Sequence, residues 1–510
     1  MGCPRLLLGV LLGAVSATLA FLTLAACVLR LPKVVDVQKL AEQSLDALRE
    51  GLPPAYEPFV GAPSQAARSH LPDVTRVDAK LLITGSGQAL INGSILFDAG
   101  SNRILYAGPS ISVPHVVVNR TLRVQTVMPG LWDCHTHFMG EIGDDTPFKD
   151  VGFLSAEFPV NYILFHSALK ELEAAVMMGI TSVREVGGPF GQAIHILESS
   201  GRITAPNFHY AGRCIGMTGG HTDDQLIALD EYRKMDREHV SGGALCDGVP
   251  ECLKRERENL RMQADVIKIM TTGGVLSEFD QPTDAQLSSE EIRAIVEDAR
   301  RAKRAVAAHA HGTAGIQSAI DNGVTSIEHG SFMTREQAKQ IKAKGYMVYT
   351  PTATIDQVFF NGTVRPPGLD DIQWAKGRAM LQAHMRSVRM AIEEKVPIVA
   401  GTDCPRGCGM VGTEINYLHM LGMSPMEAIE AATGNAPRCL GQFGLAPKSG
   451  QLAAGYEADV IALDVNPLEH LDSLTKAEHI THVWKAGRLM KSPGASVKAA
   501  AEPSSLQVVA

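Results

Sequence analysis

At 510 residues, with 45% hydrophobic and 20% charged residues, the chain can bury a large core and divides into one big domain and a smaller one. A net charge of −8 and the lack of any basic stripe exclude a nucleic-acid-binding surface. Nine cysteines without CxxC pairs exclude a zinc ribbon or a disulfide-built scaffold; Cys246/Cys252 and Cys404/Cys408 are close enough to be bonded, with free thiols the equal alternative.

The chain opens on an uncharged run, residues 6–29, bracketed by Arg5 and Arg30 and long enough to span a bilayer. The expectation is a signal anchor over 1–31, with a cleaved signal peptide as the alternative. "LAAC" at 24–27 resembles a lipoprotein box, and "MGC" hints at acylation, although Leu6 stands where a myristoylation site wants Ser or Thr. Arg5 on one side against Arg30 and Lys33 on the other biases the body toward the cytosol. Sequons at Asn92, Asn119 and Asn361 pull the other way, toward a lumenal, extracellular or secreted body, which is the reading adopted.

Residues 32–73 read as a stalk, with helical spacing in "DVQKLAEQSLDALREGL" broken by "PPAYEPFVGAP". Residues 74–125 are β-rich, and the same character returns over 446–491, so both flanks are expected to build one small β-sandwich. A disordered tail, 492–510, closes the chain. Between the flanks, 126–445 alternates short apolar runs with helix-period segments. The runs fall at 126–135, 181–187, 208–213, 265–270, 305–311, 325–330, 347–352 and 397–403. Helical segments such as 161–179 and 288–305 lie between them. Eight such units predict an α/β fold, a (β/α)8 TIM-like barrel, in preference to an open doubly wound sheet.

Active residues of a barrel sit at the carboxyl ends of its strands. Those ends carry "DCHTH", "IKIMTTGG", "AHAHG", "IEHG" and "AGTDC". His135 and His137, spaced i, i+2, share a face, and His309, His329 and Asp403 end other strands. Imidazoles and a carboxylate are the ligand types zinc accepts, so the set points to a metal site. In "VIKIM" a lysine, Lys268, interrupts a strand buried on both faces, where an unpaired ammonium is costly. A carbamate formed from its neutral amine and carbon dioxide would bridge two ions; a salt bridge to an acid inside the barrel is the alternative.

The order HxH on the first strand, Lys on the fourth, His on the fifth and sixth and Asp on the eighth resembles that of the amidohydrolase superfamily. The strings "PGLWDCHTHF", "TGGHTD", "ADVIKIMTTGGVLS", "VAAHAHG", "SIEHG" and "AGTDC" are similar to the branch with ochratoxinase and Xaa-Pro or Xaa-Arg dipeptidase-like enzymes, over roughly residues 74–490. The resemblance implies two zinc ions, one held by His135, His137 and Asp403 and the other by His309 and His329, with carboxylated Lys268 between them. It implies hydrolysis of an amide or peptide C–N bond in a dipeptide or N-acyl amino acid, with Asp403 moving the proton, and a homo-oligomeric assembly. His221 and His311 are expected to contact substrate or to orient a ligand, and the glycines of "TTGG" to let substrate approach the backbone. A mononuclear deaminase or imidazolonepropionase-like enzyme is the alternative within the fold, and a catalytically inactive membrane-anchored barrel the alternative outside it.

Overall fold

The computed structural model describes residues 73–138, 160–237, 241–277, 279–366, 369–403, 410–441 and 446–493. The apolar N-terminal run, the stalk up to residue 72, Cys404/Cys408 and the tail from 494 lie outside them. Among the described residues no helix is long and apolar enough to cross a membrane.

Strands from both flanks lie side by side. β1 (Val74–Ile83), β2 (Ala89–Asp98), β3 (Arg103–Pro109) and β4 (Arg120–Pro129) join β14 (Val460–Leu463), β15 (Ile480–Lys485) and β16 (Arg488–Lys491) in one seven-stranded sheet. Its order is β16-β15-β14-β4-β1-β2-β3. Edge strand β3 also bonds the run before β14, through Ile104 N–H to Tyr456 O (2.9 Å) and Gly455 N–H to Ile104 O (2.8 Å). The sheet therefore curls around its own core of Val77, Leu82, Phe97, Val127, Val460 and Trp484. One curled sheet stands in place of the expected sandwich. Leu81, Ile83, Met128, Ile461 and Val483 belong instead to the main core, so the sheet is packed on both faces. Each large aliphatic side chain buried this way contributes about 1.5–3 kcal/mol.

The middle of the chain supplies parallel strands. β5 (Leu131–Thr136), β6 (Ile180–Glu185) and β7 (Asn207–Tyr210) form one group. β8 (Cys214–Gly216), β9 (Gly243–Leu245), β10 (Val266–Met270), β11 (Ala305–Ala310), β12 (Ser326–His329) and β13 (Val348–Thr350) form another, ordered β9-β8-β10-β11-β12-β13. Asp265 N–H donates to Tyr210 O (2.8 Å), joining β7 to the entry of β10. Tyr349 pairs in parallel with Ile398, and Cys134 N–H donates to Ala400 O (2.9 Å), so residues 397–403 lie between β13 and β5. Those links close the ring expected of a TIM-like barrel. The run "TVMPGLWDCH" divides at Gly130, β4 going to the sheet and β5 to the barrel. β9 arises in a segment that had suggested no strand.

Helices follow the strands: α1 (Val160–Met177), α2 (Gly191–Ser199), α3 (Leu229–Arg237), α4 (Val249–Arg261), α5 (Ser289–Arg301), α6 (Thr313–Asn322), α7 (Arg335–Lys344), α8 (Ala353–Phe360), α9 (Asp371–Glu393), α10 (Val411–Met420) and α11 (Pro425–Ala431). α5 shows why the sequence folds this way. Ser288 and Glu291 make a reciprocal capping box at its start, and Ile292, Ile295, Val296 and Ala299 form its buried stripe. At the amino ends of the strands, a 3-10 turn, Ala436–Leu440, plugs the barrel, packing Ala436, Cys439 and Leu440 on Trp132, Cys134, Val348 and Val399. Cys246 and Cys252 are disulfide-bonded, whereas Cys134, Cys214 and Cys439 are free and buried.

Candidate metal centre

The carboxyl ends of the barrel strands bring the histidines into one group. Ring centroids lie 5.4 Å apart for His135/His137, 5.0 Å for His135/His329 and 4.6 Å for His309/His329. Asp403 reaches them from the segment after Ala400: its Oδ1 is 3.4 Å from His135 Nε2 and 3.3 Å from His137 Nε2, and its Oδ2 is 3.8 Å from His329 Nδ1. Two sets of three ligand atoms fall within 4.8 Å of one another, His135/His329/Asp403 and His309/His311/His329.

Whether this group suits a metal depends on where its lone pairs point. His135 Nδ1–H donates to Glu328 Oε2 (2.8 Å) and His137 Nδ1–H to Gly187 O (2.7 Å), tautomers that leave a lone pair on each Nε2 on the side of Asp403. His309 Nε2–H donates to Gly273 O (3.1 Å), leaving Nδ1. Partners that can only accept thus fix three tautomers, and an outer carboxylate on a histidine is the usual support of a metal ligand. Burial, helped by the Lys268 charge, pushes His135 down to about 4, and burial first of all holds His309 and His329 well below the ordinary imidazole value. Burial opposes ionisation of Asp403, yet His135 and His137 hold its carboxyl at about 2. Burial opposes a charge on His137, yet the Asp403 carboxylate raises it above the ordinary imidazole value, so His137 gives up its proton when an ion binds. Neutral His135, His309 and His329 beside an ionised Asp403 are otherwise the protonation states a divalent ion requires, so the residues fit one.

Backbone strain gathers at the same place. His329, Thr352 and Asp403 have φ of +68°, +56° and +51°, a region that side chains rarely adopt and that costs roughly 1–3 kcal/mol each. On β12, regular alternation puts Ser326 and Glu328 inside and would send His329 outward with Ile327. The left-handed turn at His329 brings its imidazole back over the mouth, where Nδ1 meets Thr352 Oγ1 at 2.9 Å. Asp133 fixes the opposite side, accepting Thr402 N–H (3.0 Å), Thr402 Oγ–H (2.7 Å) and His135 N–H (3.2 Å).

Lys268 is fully buried in β10, in register with Ala307, a small neighbour that leaves its side chain room. Its Nζ makes no hydrogen bond or ion pair among the described residues. Burial draws the amine below its ordinary value, and Glu328 and Asp403 are the carboxylates whose fields reach it. Glu328 is already engaged, taking both oxygens to Arg184 Nη2 at 2.8 Å and one to His135. Burial opposes its charge, but Arg184 and then His135 hold the carboxyl well below the usual range. Arg184 and Glu328, both wholly buried, were not singled out in the sequence; the inward phase of "SIEHG" was the available signal for Glu328. Glu185 was missed too: burial pushes it up to about 8, and neither carboxylate oxygen has a partner among the described residues.

His311 and His221 both reach the group. His311 stacks on His329 at 4.6 Å and shares a three-histidine set with it, a placement equal to that of the expected ligands. His221 stacks on His309 at 4.4 Å. The glycines of "TTGG" have a different task from the one expected. A Cβ at Gly274 would stand 2.0 Å from the His221 ring and one at Gly273 2.3 Å from Gln281 O, so protein, not substrate, approaches them.

A buried cluster of histidines and an aspartate at the carboxyl ends of parallel strands, flanked by a sheet from both chain ends, defines a hydrolase of the amidohydrolase type. The amidohydrolase family model matches residues 126–490, and the chain belongs to that family. It is 38% identical over 436 residues to an ochratoxinase of Aspergillus niger, covering 82% of this chain and 87% of that protein. The crystal structure of A. niger ochratoxinase superposes with a TM-score of 0.75 at 34% identity, over 83% of this chain and 96% of that one. A Xaa-Pro dipeptidase with methionine bound in its active site gives a TM-score of 0.71 at 30% identity, over 82% and 99%. The chain is thus an enzyme of a generally metal-dependent family, acting on carbon–nitrogen bonds.

Proposed function

We propose that this protein is a zinc-dependent amidohydrolase that cleaves the amide bond of a dipeptide or an N-acyl amino acid. The observation that carries the reading is the convergence of fixed imidazole lone pairs on Asp403 beside an inward, unpaired Lys268. His135, His137 and Asp403 would hold one ion and His309 and His329 the other, with His311 within ligand distance of the latter pair. Lys268, buried and drawn toward its neutral form, is suited to capture carbon dioxide and release a proton, and the resulting carbamate would supply the anionic ligand that such a pair needs. Two such ions, when bound, acidify a water and polarise the substrate carbonyl. Asp403 takes the proton of the attacking water and delivers it to the departing amine. Glu328 and Gly187 keep His135 and His137 in place during that transfer, and Arg184 keeps Glu328 charged. The relative named a Xaa-Pro dipeptidase supports the dipeptide class, without its proline preference being carried to this chain.

The test is zinc analysis of purified protein supplied with zinc and bicarbonate, alongside turnover of a dipeptide and N-acyl amino acid library. Near two zinc per chain, a carbamate signal from 13C-bicarbonate and amide cleavage are expected. Near one zinc with no amide cleavage would instead favour a mononuclear deaminase or imidazolonepropionase-like reaction.

The setting belongs to the same proposal. Residues 6–29 would anchor the protein or export it, placing the catalytic domain in a lumenal or extracellular space, as a homo-oligomer. Asn92, Asn119 and Asn361 are all exposed, in keeping with glycan attachment there. Loss of mass on glycosidase treatment and oligomer size by light scattering test these points.

A further inference from the structure

Behind His221 lies a closed circuit of hydrogen bonds that the chemistry above does not use. His221 N–H donates to Gln286 Oε1 (3.1 Å), and Gln286 Nε2 donates to Asp280 Oδ2 (2.8 Å). Ser277 Oγ donates to Asp280 Oδ1 and lies 2.9 Å from His221 Nδ1, which completes the circuit. Lys376 of α9 locks it from behind, donating to Gly274 O (3.1 Å) and Ser277 O (2.6 Å) with its ammonium 3.6 Å from Asp280 Oδ1. The Lys376 and Asp280 side chains are only 6% and 5% exposed, so this is a built interior feature.

The circuit has a chemical direction. A serine hydroxyl has one proton, and a carboxylate facing an ammonium only accepts, so Ser277 gives its proton to Asp280. Ser277 Oγ must then accept from His221, which places the imidazole proton on Nδ1 and leaves a lone pair on Nε2. That Nε2 has no partner among the described residues, and its ring stacks on His309 at 4.4 Å. A molecule reaching the histidine group therefore meets an acceptor at His221 Nε2.

We propose that Ser277 and Asp280 are positioning residues that hold His221 as a hydrogen-bond acceptor for substrate. The enzyme would thereby favour secondary amides, whose nitrogen offers N–H, over tertiary amides of the N-alkyl or proline kind, which offer none. This substrate preference rests on the amide-hydrolase reading; the tautomer does not.

The two parts are tested separately. In full-length protein labelled with 15N-histidine, the His221 resonances, assigned by their loss in His221→Gln, should show a protonated Nδ1 and an unprotonated Nε2. Ser277→Ala should abolish that preference and Ser277→Thr restore it. The opposite tautomer in the parent protein would overturn the positioning role whatever the substrate. For the preference, an N-acyl amino acid is compared with its N-methyl counterpart. The parent should favour the N–H compound by about tenfold or more in kcat/KM, the order expected of one hydrogen bond left unmade. Ser277→Ala and Asp280→Asn should shrink that ratio severalfold, chiefly through KM of the N–H compound. A ratio unmoved by both variants overturns the preference, and failure to cleave either compound overturns the amide-hydrolase reading itself.

Discussion

The two ends of the barrel interior are built on opposite principles. At the amino ends of the strands, Trp132, Val348, Val399 and Leu440 close the lumen by apolar packing on regular backbone. At the carboxyl ends, buried histidines and Asp403 crowd together on backbone that adopts left-handed φ at three side-chain-bearing positions. Packing at the first end stabilises the protein; strain and desolvated polar groups at the second draw on that stability. The comparison teaches that a site of this kind is held by its surroundings, and that the plug and the mouth should respond to mutation in different quantities.

The largest separation comes from the mouth. On the proposed zinc reading, Asp403→Asn is expected to lower turnover by about 10²–10⁴-fold while leaving most of the metal bound. Assay beside metal analysis checks it, and retained activity would remove Asp403 from proton transfer. Glu328→Ala lies between the two ends and should affect both quantities. It strands Arg184 as a buried uncompensated charge, at about 3–5 kcal/mol in denaturant melts, and weakens zinc affinity by about 10–100-fold as His135 loses its support. At the plug, Leu440→Ala is expected to cost about 2–5 kcal/mol through the cavity it leaves, with zinc affinity unchanged. A variant there that loses zinc in proportion to stability would dissolve the distinction.

The smallest effect lies outside the barrel interior and serves as a control. Glu256 on α4 is fully buried with both carboxylate oxygens unpartnered among the described residues, and burial, then Asp298, pushes it up to about 8. Its folded value exceeds the unfolded one near 4.3, so the folded state keeps a proton that the unfolded state has released. The contribution of Glu256 to stability should therefore fall as pH rises from about 4.3 toward 8. Glu256→Gln removes that fall: melting temperatures should agree near pH 4 and diverge by a few degrees near pH 8, the variant higher.

Much of this was legible from residue pattern. Apolar runs with helical segments between them gave the barrel strands, and polar residues at their carboxyl ends gave His135, His137, His309, His329 and Asp403. The ammonium in "VIKIM" was legible because a strand buried on both faces has no place for it. What escaped was long-range or conformational. Arg184 reaches Glu328 across 144 residues, and no local rule couples them. The left-handed φ of His329 inverts the face that alternation assigns, so Glu328, the residue alternation turns inward, was passed over. Gly273 and Gly274 were read as room for substrate because the loop that returns Asp280 and His221 against them is invisible in sequence spacing. The sheet was expected as a sandwich because strand counts do not show whether a sheet splits or curls.

The pairing of β4 with β14 has a consequence for how the protein is made. Val460 lies opposite Pro129 and Leu463 opposite Thr126, so β4 completes its ladder only when a segment more than 300 residues later leaves the ribosome. At about 5–20 residues per second, that edge waits roughly 20–60 s during synthesis. An unpaired strand beside Val127 and Met128 is a template for association with other nascent chains. Chaperone dependence and yield on slowed translation should therefore track the C-terminal strands, which finish the protein by closing a seam opened at its beginning.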